Sequence, residues 1–156
     1  MQPGAALLPR IPDESVCSTL LAQVPPQVAA HSRAVQRLAL EMCDALAAHG
    51  VRLNRALLSA AALLHDICRT EPNHAFAGAQ KLRDLGYPEI ADIVAVHHDW
   101  SGGPFDESAR LYLADKYMRG NQRLTLEKRF DRSRAKCHTD QALCAHDRRY
   151  RLALEA

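Results

Sequence analysis

Aromatic residues are scarce: Phe, Trp and Tyr make up 5% of the 156 residues. Val, Ile and Thr are sparse too, so the residues that favour sheet are in short supply. No apolar run approaches the roughly 20 residues needed to span a bilayer. The N-terminus, MQPGAALLPRIP, has no basic stretch followed by a long apolar core, which argues against a signal peptide. The five cysteines, Cys17, Cys43, Cys68, Cys137 and Cys144, are odd in number and form no CxxC. That argues against a disulfide framework or a zinc knuckle, and for a reducing cytoplasm. There is no internal repeat, no low-complexity segment and no Gly-rich phosphate loop. Neither charge sign dominates: the formal net charge is +2, too small alone to imply a polyanion partner.

What the chain has is alanine and leucine. Hydrophobic residues reach 47%, enough for one core, and the length suits a single domain. The expected fold class is all-α. Residues 1–12, with three prolines and a glycine, read as a loose leader, and 13–156 as the domain. Asp13 can cap a first helix to about Val24. Pro25-Pro26 starts a second that runs to His49, with Gly50 after it. Its apolar stripe is Val28, His31, Val35, Leu38, Met42 and Ala45. Asn54 can cap a third helix that includes Cys68 and stops at Arg69–Pro72. Asn73 can cap a fourth, from His74 to Leu85. Pro88 opens a fifth with the stripe Ile90, Ile93, Val94, His97. Ser101–Pro104 is the clearest loop. A sixth helix from about Glu107 to Arg119 carries Leu111, Asp115 and Met118. Thr125 opens a further helix through Phe130, and Thr139 a last one towards Ala156.

Polar residues on these apolar faces carry the chemistry. His65-Asp66 closes the apolar run LLSAAALL, Leu57 to Leu64. Burying an imidazole and a carboxylate is expensive, and a bound cation offsets the cost. A single histidine such as His31 on an apolar stripe is usually a core residue with a backbone partner. Asp115 taken alone reads as a capping or salt-bridge residue. Four such residues on three helices of a small domain point instead to one metal held by His31, His65, Asp66 and Asp115. Imidazole with carboxylate suits Fe, Mn, Co, Ni or Zn, and four protein ligands leave room for water and substrate. His74, His97 and His98 are structural or exposed histidines on the plain reading. In a compact bundle they are also candidates for a second ion, bridged to the first by Asp66.

A bound divalent ion brings the pKa of its water towards neutrality and offsets charge on a phosphoryl oxygen. Arg69, four residues after His65, and Lys116, beside Asp115, are candidates to hold the remaining phosphate charge. The alternative for Arg69 is a solvated residue at a helix C-terminus.

The ordered set His31…ALLHDI (Ala62 to Ile67)…HAFAGAQKL (His74 to Leu82)…VHH (Val96 to His98)…YLADK (Tyr112 to Lys116) resembles the HD-domain metal-dependent phosphohydrolases. The likeness covers roughly residues 25 to 130. It implies a helical bundle of the HD type and a first metal on His31, His65, Asp66 and Asp115. In two-metal members, the positions of His74 and of one or both of His97 and His98 hold the second ion. The stretches VPPQVAAHSRAV, LRDLGYPEIADIV and YLADKYMRGNQRLTLEKRF are similar to HD domains fused to, or beside, nucleotidyltransferases of the molybdopterin cytidylyltransferase type. HD-type diadenosine tetraphosphatases are a more distant likeness. Cys68 stands where many members have Gly, and Arg69 where a Lys is common. The resemblance implies hydrolysis of a small phosphorylated metabolite of the nucleotide class; Asp66, a ligand in both the one-metal and the two-metal arrangement, is expected to be essential. A homodimer and a functional link to a nucleotidyltransferase stay open. The alternatives are a non-catalytic metal-binding module in molybdenum-enzyme maturation, or a diiron oxygenase.

Between Lys116 and Arg151 there are eleven Lys/Arg against four Asp/Glu, a local net of +7. Such a surface attracts phosphorylated substrates. Aromatic interleaving is thin, which disfavours nucleic acid. An ordinary solvated helix face is the plain reading.

Overall fold

Short-range capping chemistry divides the chain. In the computed structural model, which describes residues 10–103 and 106–155, helix α1 spans Glu14–Leu21 and α2 Pro26–Ala48. These are followed by α3 Arg55–Leu64, α4 His74–Asp84, α5 Pro88–Ala95 and α6 Glu107–Lys116. A two-residue hairpin, β1 Met118–Arg119 and β2 Gln122–Arg123, precedes α7 Leu126–Arg134 and α8 Asp140–Glu155. The side chains of Asp13, Asn54 and Thr125 each accept the backbone N–H three residues on, at 2.9, 3.0 and 3.2 Å, as does Thr139 at 3.0 Å. Asp106 caps α6, accepting from Ser108, two residues on, at 2.9 Å and from Ala109, three residues on, at 3.4 Å. Pro26 and Pro88 sit in the first turns of α2 and α5, where a missing N–H costs nothing.

The fold class is all-α, as the composition indicates. Helix α3 is its centre: Leu58, Ala61, Ala62 and Leu64 are fully buried, and α1, α2, α5 and α6 all pack on it. Its alanines let those helices approach closely. Along α2 the buried stripe runs through Val35, Leu38, Ala39 and Cys43, whereas Ala45 is exposed. Trp100, Tyr112 and Phe130 form a second cluster, which docks α7 and α8 against α6. Phe130 and Tyr150 stack with ring centroids 4.7 Å apart, and Tyr112 donates its hydroxyl to the Arg149 carbonyl at 2.6 Å.

Four local details differ from the pattern-based expectation. Regular helix ends at Leu64, not beyond Cys68: Ile67, Arg69 and Glu71 donate to carbonyls three residues back, so the chain continues as tight turns. Helix α6 ends at Lys116, because the hairpin pairs Met118 with Arg123 and turns at Gly120, which has φ +58°. Asn73 makes no side-chain cap; it adopts the left-handed conformation, φ +52°, which asparagine tolerates. Of the expected leader, residues 1–9 lie outside the described residues, while Ile11 packs on the core and Arg10 lies 5.2 Å from the Tyr87 ring centroid. Pro104, at the end of the expected Ser101–Pro104 loop, and Ala156, at the expected end of the last helix, also lie outside the described residues.

Candidate metal centre

Two helix ends deliver two histidines in the same way. The last carbonyls of a helix lack intrahelical donors. His65, just past α3, donates its Nδ1–H to the Ala62 carbonyl at 2.6 Å, and His97, just past α5, donates to Val94 at 2.7 Å. His31 stands in the second turn of α2, and its Nδ1 lies 2.6 Å from the Gly120 carbonyl in the hairpin turn. A carbonyl only accepts, so each Nδ1 carries the proton. All three Nε2 atoms are then turned towards the interior space, the orientation that outer hydrogen bonds give to metal-bound histidine.

Two carboxylates face those nitrogens. Asp115 Oδ1 lies 2.9 Å from His31 Nε2 and 3.4 Å from His65 Nε2. The two oxygens of Asp66 divide their neighbours. Oδ2 approaches His31 at 3.7 Å and His65 at 3.5 Å; Oδ1 approaches His74 Nε2 at 3.5 Å and His97 Nε2 at 3.4 Å. His98 makes no comparable approach to Asp66 among the described residues. Its ring is 5.4 Å from His74 and 6.4 Å from His97, at the mouth of the cleft. The structure therefore brings His31, His65, Asp66, His74, His97 and Asp115 together, with His98 beside them.

These residues fit a cation. His65 Nε2 is fully buried and, among the described residues, aligned with no hydrogen-bond partner. With its proton on Nδ1, that atom offers a lone pair to carboxylate oxygens, a repulsive contact until a positive charge sits between them. Ligand atoms on a common ion at about 2.1 Å stand about 3.0–3.4 Å apart for octahedral to tetrahedral angles, close to most of the separations above. Two sets have ligand atoms within 4.8 Å of one another: His31, His65 and Asp115, and His65, Asp66 and His97. Either could hold a metal ion.

The electrostatics state the same demand. Burial opposes charge on His65, yet Asp66 and Asp115 overcome it and push its pKa up to about 9. Burial likewise opposes charge on His31, and its bond to Asp115 reverses the sign, leaving the pKa raised. Burial would raise both carboxyls; instead His65 and His97 hold Asp66 well below the usual range, and Lys116, His31 and His65 do the same for Asp115. Further out the field turns positive. Burial, then Lys116 and Arg149, push His98 down to about 4. His74 is lowered chiefly by burial.

The two candidate phosphate binders occupy different settings. Arg69 is more than half exposed at the rim, with Nε 3.8 Å from Asp66 Oδ2. Lys116 is 3% exposed, its Nζ 3.4 Å from Asp115 Oδ2 and 4.9 Å from the Tyr112 ring centroid. The cleft over the cluster has a volume of about 340 Å³ and is also lined by Arg119, Arg129, Arg132 and Lys136. Those four were visible in the sequence only as part of a basic segment. The supporting carbonyls of Ala62, Val94 and Gly120 left no sequence signal beyond the glycine itself.

Comparison with known proteins follows the same residues. The family model of the HD domain matches residues 28–133. Over 115 residues the chain is 31% identical to a tRNA (cytidine(56)-2'-O)-methyltransferase of Picrophilus torridus, covering 70% of this chain and 32% of that protein. Over 92 residues it is 33% identical to an uncharacterized protein of Methanocaldococcus jannaschii, covering 57% of this chain and 54% of that protein. The chain thus spans between about a third and about half the length of these relatives. No solved structure matches it significantly.

Proposed function

The chain belongs to the HD-domain family, and on that premise we propose that it is a metal-dependent phosphohydrolase acting on a small phosphorylated metabolite of the nucleotide class. One observation carries this reading: Asp66 turns one carboxylate oxygen to His31 and His65 and the other to His74 and His97. That is how a carboxylate bridges two ions. His31, His65, Asp66 and Asp115 would hold the first, and Asp66, His74 and His97 the second, with His98 beside His74 and His97.

A divalent transition metal held there supplies an activated water at neutral pH and positive charge for a phosphoryl oxygen. The chain's own residues do the rest. The Ala62, Val94 and Gly120 carbonyls hold the three imidazoles in the tautomer that leaves Nε2 free. Arg69 at the rim is placed to pair with phosphate oxygens as the substrate enters, and Lys116 adds a fixed charge from the buried side.

The test is phosphate release across a panel of phosphorylated metabolites, using protein purified without chelator and analysed for metal. Metal-dependent release, lost in a folded Asp66→Ala variant, supports the proposal. Oxygen consumption with Fe(II) and no phosphate release would replace it with oxygenase chemistry. Metal binding with neither activity would leave a regulatory module. Comparable turnover by folded Asp66→Ala protein would move the site elsewhere.

A further inference from the structure

A second cavity adjoins the cleft. It measures about 540 Å³, lies among α6, α7 and α8, and shares His98, Lys116, Arg129 and Ser133 with the first. Most of its remaining wall, including Gln141, His146 and Arg149, comes from residues after 133, where the family match ends. No acidic side chain lines it among the described residues, whereas the first cleft contains Asp66 and Asp115. Arg129 stands in both walls, and its Nε is buried without a hydrogen-bond partner among the described residues. Lys116, almost wholly buried, stands at the junction.

The polar wall admits another explanation, which the hydrogen bonds remove. Ser133 Oγ lies 2.7 Å from His146 Nε2, and His146 Nδ1 lies 3.2 Å from Asp147 Oδ1, an order reminiscent of a hydrolytic triad. But His146 Nε2 is also 2.8 Å from the Phe130 carbonyl, which only accepts. Nε2 therefore carries a proton and cannot take one from serine. The Ser133 hydroxyl lies 3.1 Å from the same carbonyl. These bonds tie α7 to α8 at the cavity wall.

We propose that this second cavity is an anion subsite for the distal phosphates of a phosphate chain whose reacting end lies at the metal centre. The inference rests on the phosphohydrolase reading and narrows its substrate class to compounds with two or more linked phosphates. Arg129 and Arg149 would bind the distal oxygens, with Lys116 between the two ends. Charge-assisted hydrogen bonds to phosphate in such a hollow are strong.

The experiment is calorimetric titration of metal-loaded protein with inorganic phosphate and with inorganic tripolyphosphate, with metal content measured afterwards. Wild-type protein should bind tripolyphosphate about tenfold or more tighter than phosphate. Arg149→Gln touches only the second cavity; it should cost about tenfold in tripolyphosphate affinity and change phosphate affinity by less than about twofold. Arg148→Gln is the fold control, because both arginines bond Asp99 but Arg148 does not line the cavity. It should alter neither affinity. Equal affinity for the two probes, no binding of tripolyphosphate, or equal losses in the two arginine variants would overturn the subsite. Failure of every phosphorylated compound to release phosphate would overturn the hydrolase reading alone, since the titration needs no turnover.

Discussion

Metal removal should make the stability of this protein fall with rising pH, and the structure sets the window. His65 is fully buried between Asp66 and Asp115, and its pKa rises to about 9 in the metal-free fold, against about 6.5 in an unfolded chain. A histidine raised on folding contributes stability that is fully present below the unfolded value and is lost as pH climbs through the folded one. Between pH 6.5 and 9 that loss amounts to about 3 kcal/mol. For a chain of this size it is on the order of 10 °C in Tm. His31, also raised, works in the same direction. Asp66 and Asp115 are depressed, so their contribution is lost only when pH falls well below this window. In the loaded protein a divalent ion replaces the proton between these groups, so the loss should disappear. Apparent metal affinity should rise by at least about tenfold per pH unit towards pH 9, because binding must displace the His65 proton and, where it is still bound, the His31 proton. Thermal melts with and without chelator, at matched pH from 6 to 9.5, read the effect as a gap that widens with pH. A metal-free Tm that stays flat or climbs over this range would refute the reasoning.

Three more expectations follow from individual side chains. His74→Ala removes one neighbour of Asp66 Oδ1 and should lower bound metal from two ions towards one by elemental analysis; an unchanged ratio would leave His74 structural. Arg69→Ala should keep metal content and raise KM more than it lowers kcat, because a half-exposed rim charge acts on ground and transition states alike; equal loss in kcat and kcat/KM would give Arg69 a different role. Leu64→Ala, at a fully buried site, should cost about 2–5 kcal/mol in denaturant unfolding, and a loss under about 1 kcal/mol would mean that the core collapses around the cavity.

The sequence by itself determined the class of the fold and the candidate ligands of the polar cluster, whereas buried Ser32, Arg110 and His146 gave no such signal. Helix starts are local events: Asp13, Asn54, Thr125 and Thr139 each bond an amide three residues away, so they are legible without the rest of the chain. His65-Asp66 after a stretch of eight residues of which seven are apolar is conspicuous because burial makes charge expensive wherever the helix packs. Helix ends and the division of labour within the cluster belonged to the tertiary structure. Helix α3 stops at Leu64 and α6 at Lys116 because turns and a hairpin compete with continuation, and neither carries a proline or glycine at the break. The Gly120 carbonyl meets His31 across 89 positions of sequence. The split of Asp66 between two sets of nitrogens depends on α2, α4, α5 and the turn after α3 arriving together. Which arginines of the basic segment reach the cleft was settled by how aromatic packing docks α7 and α8 on α6. Local bonds are written in adjacent residues, whereas a converging site exists only once distant helices have packed.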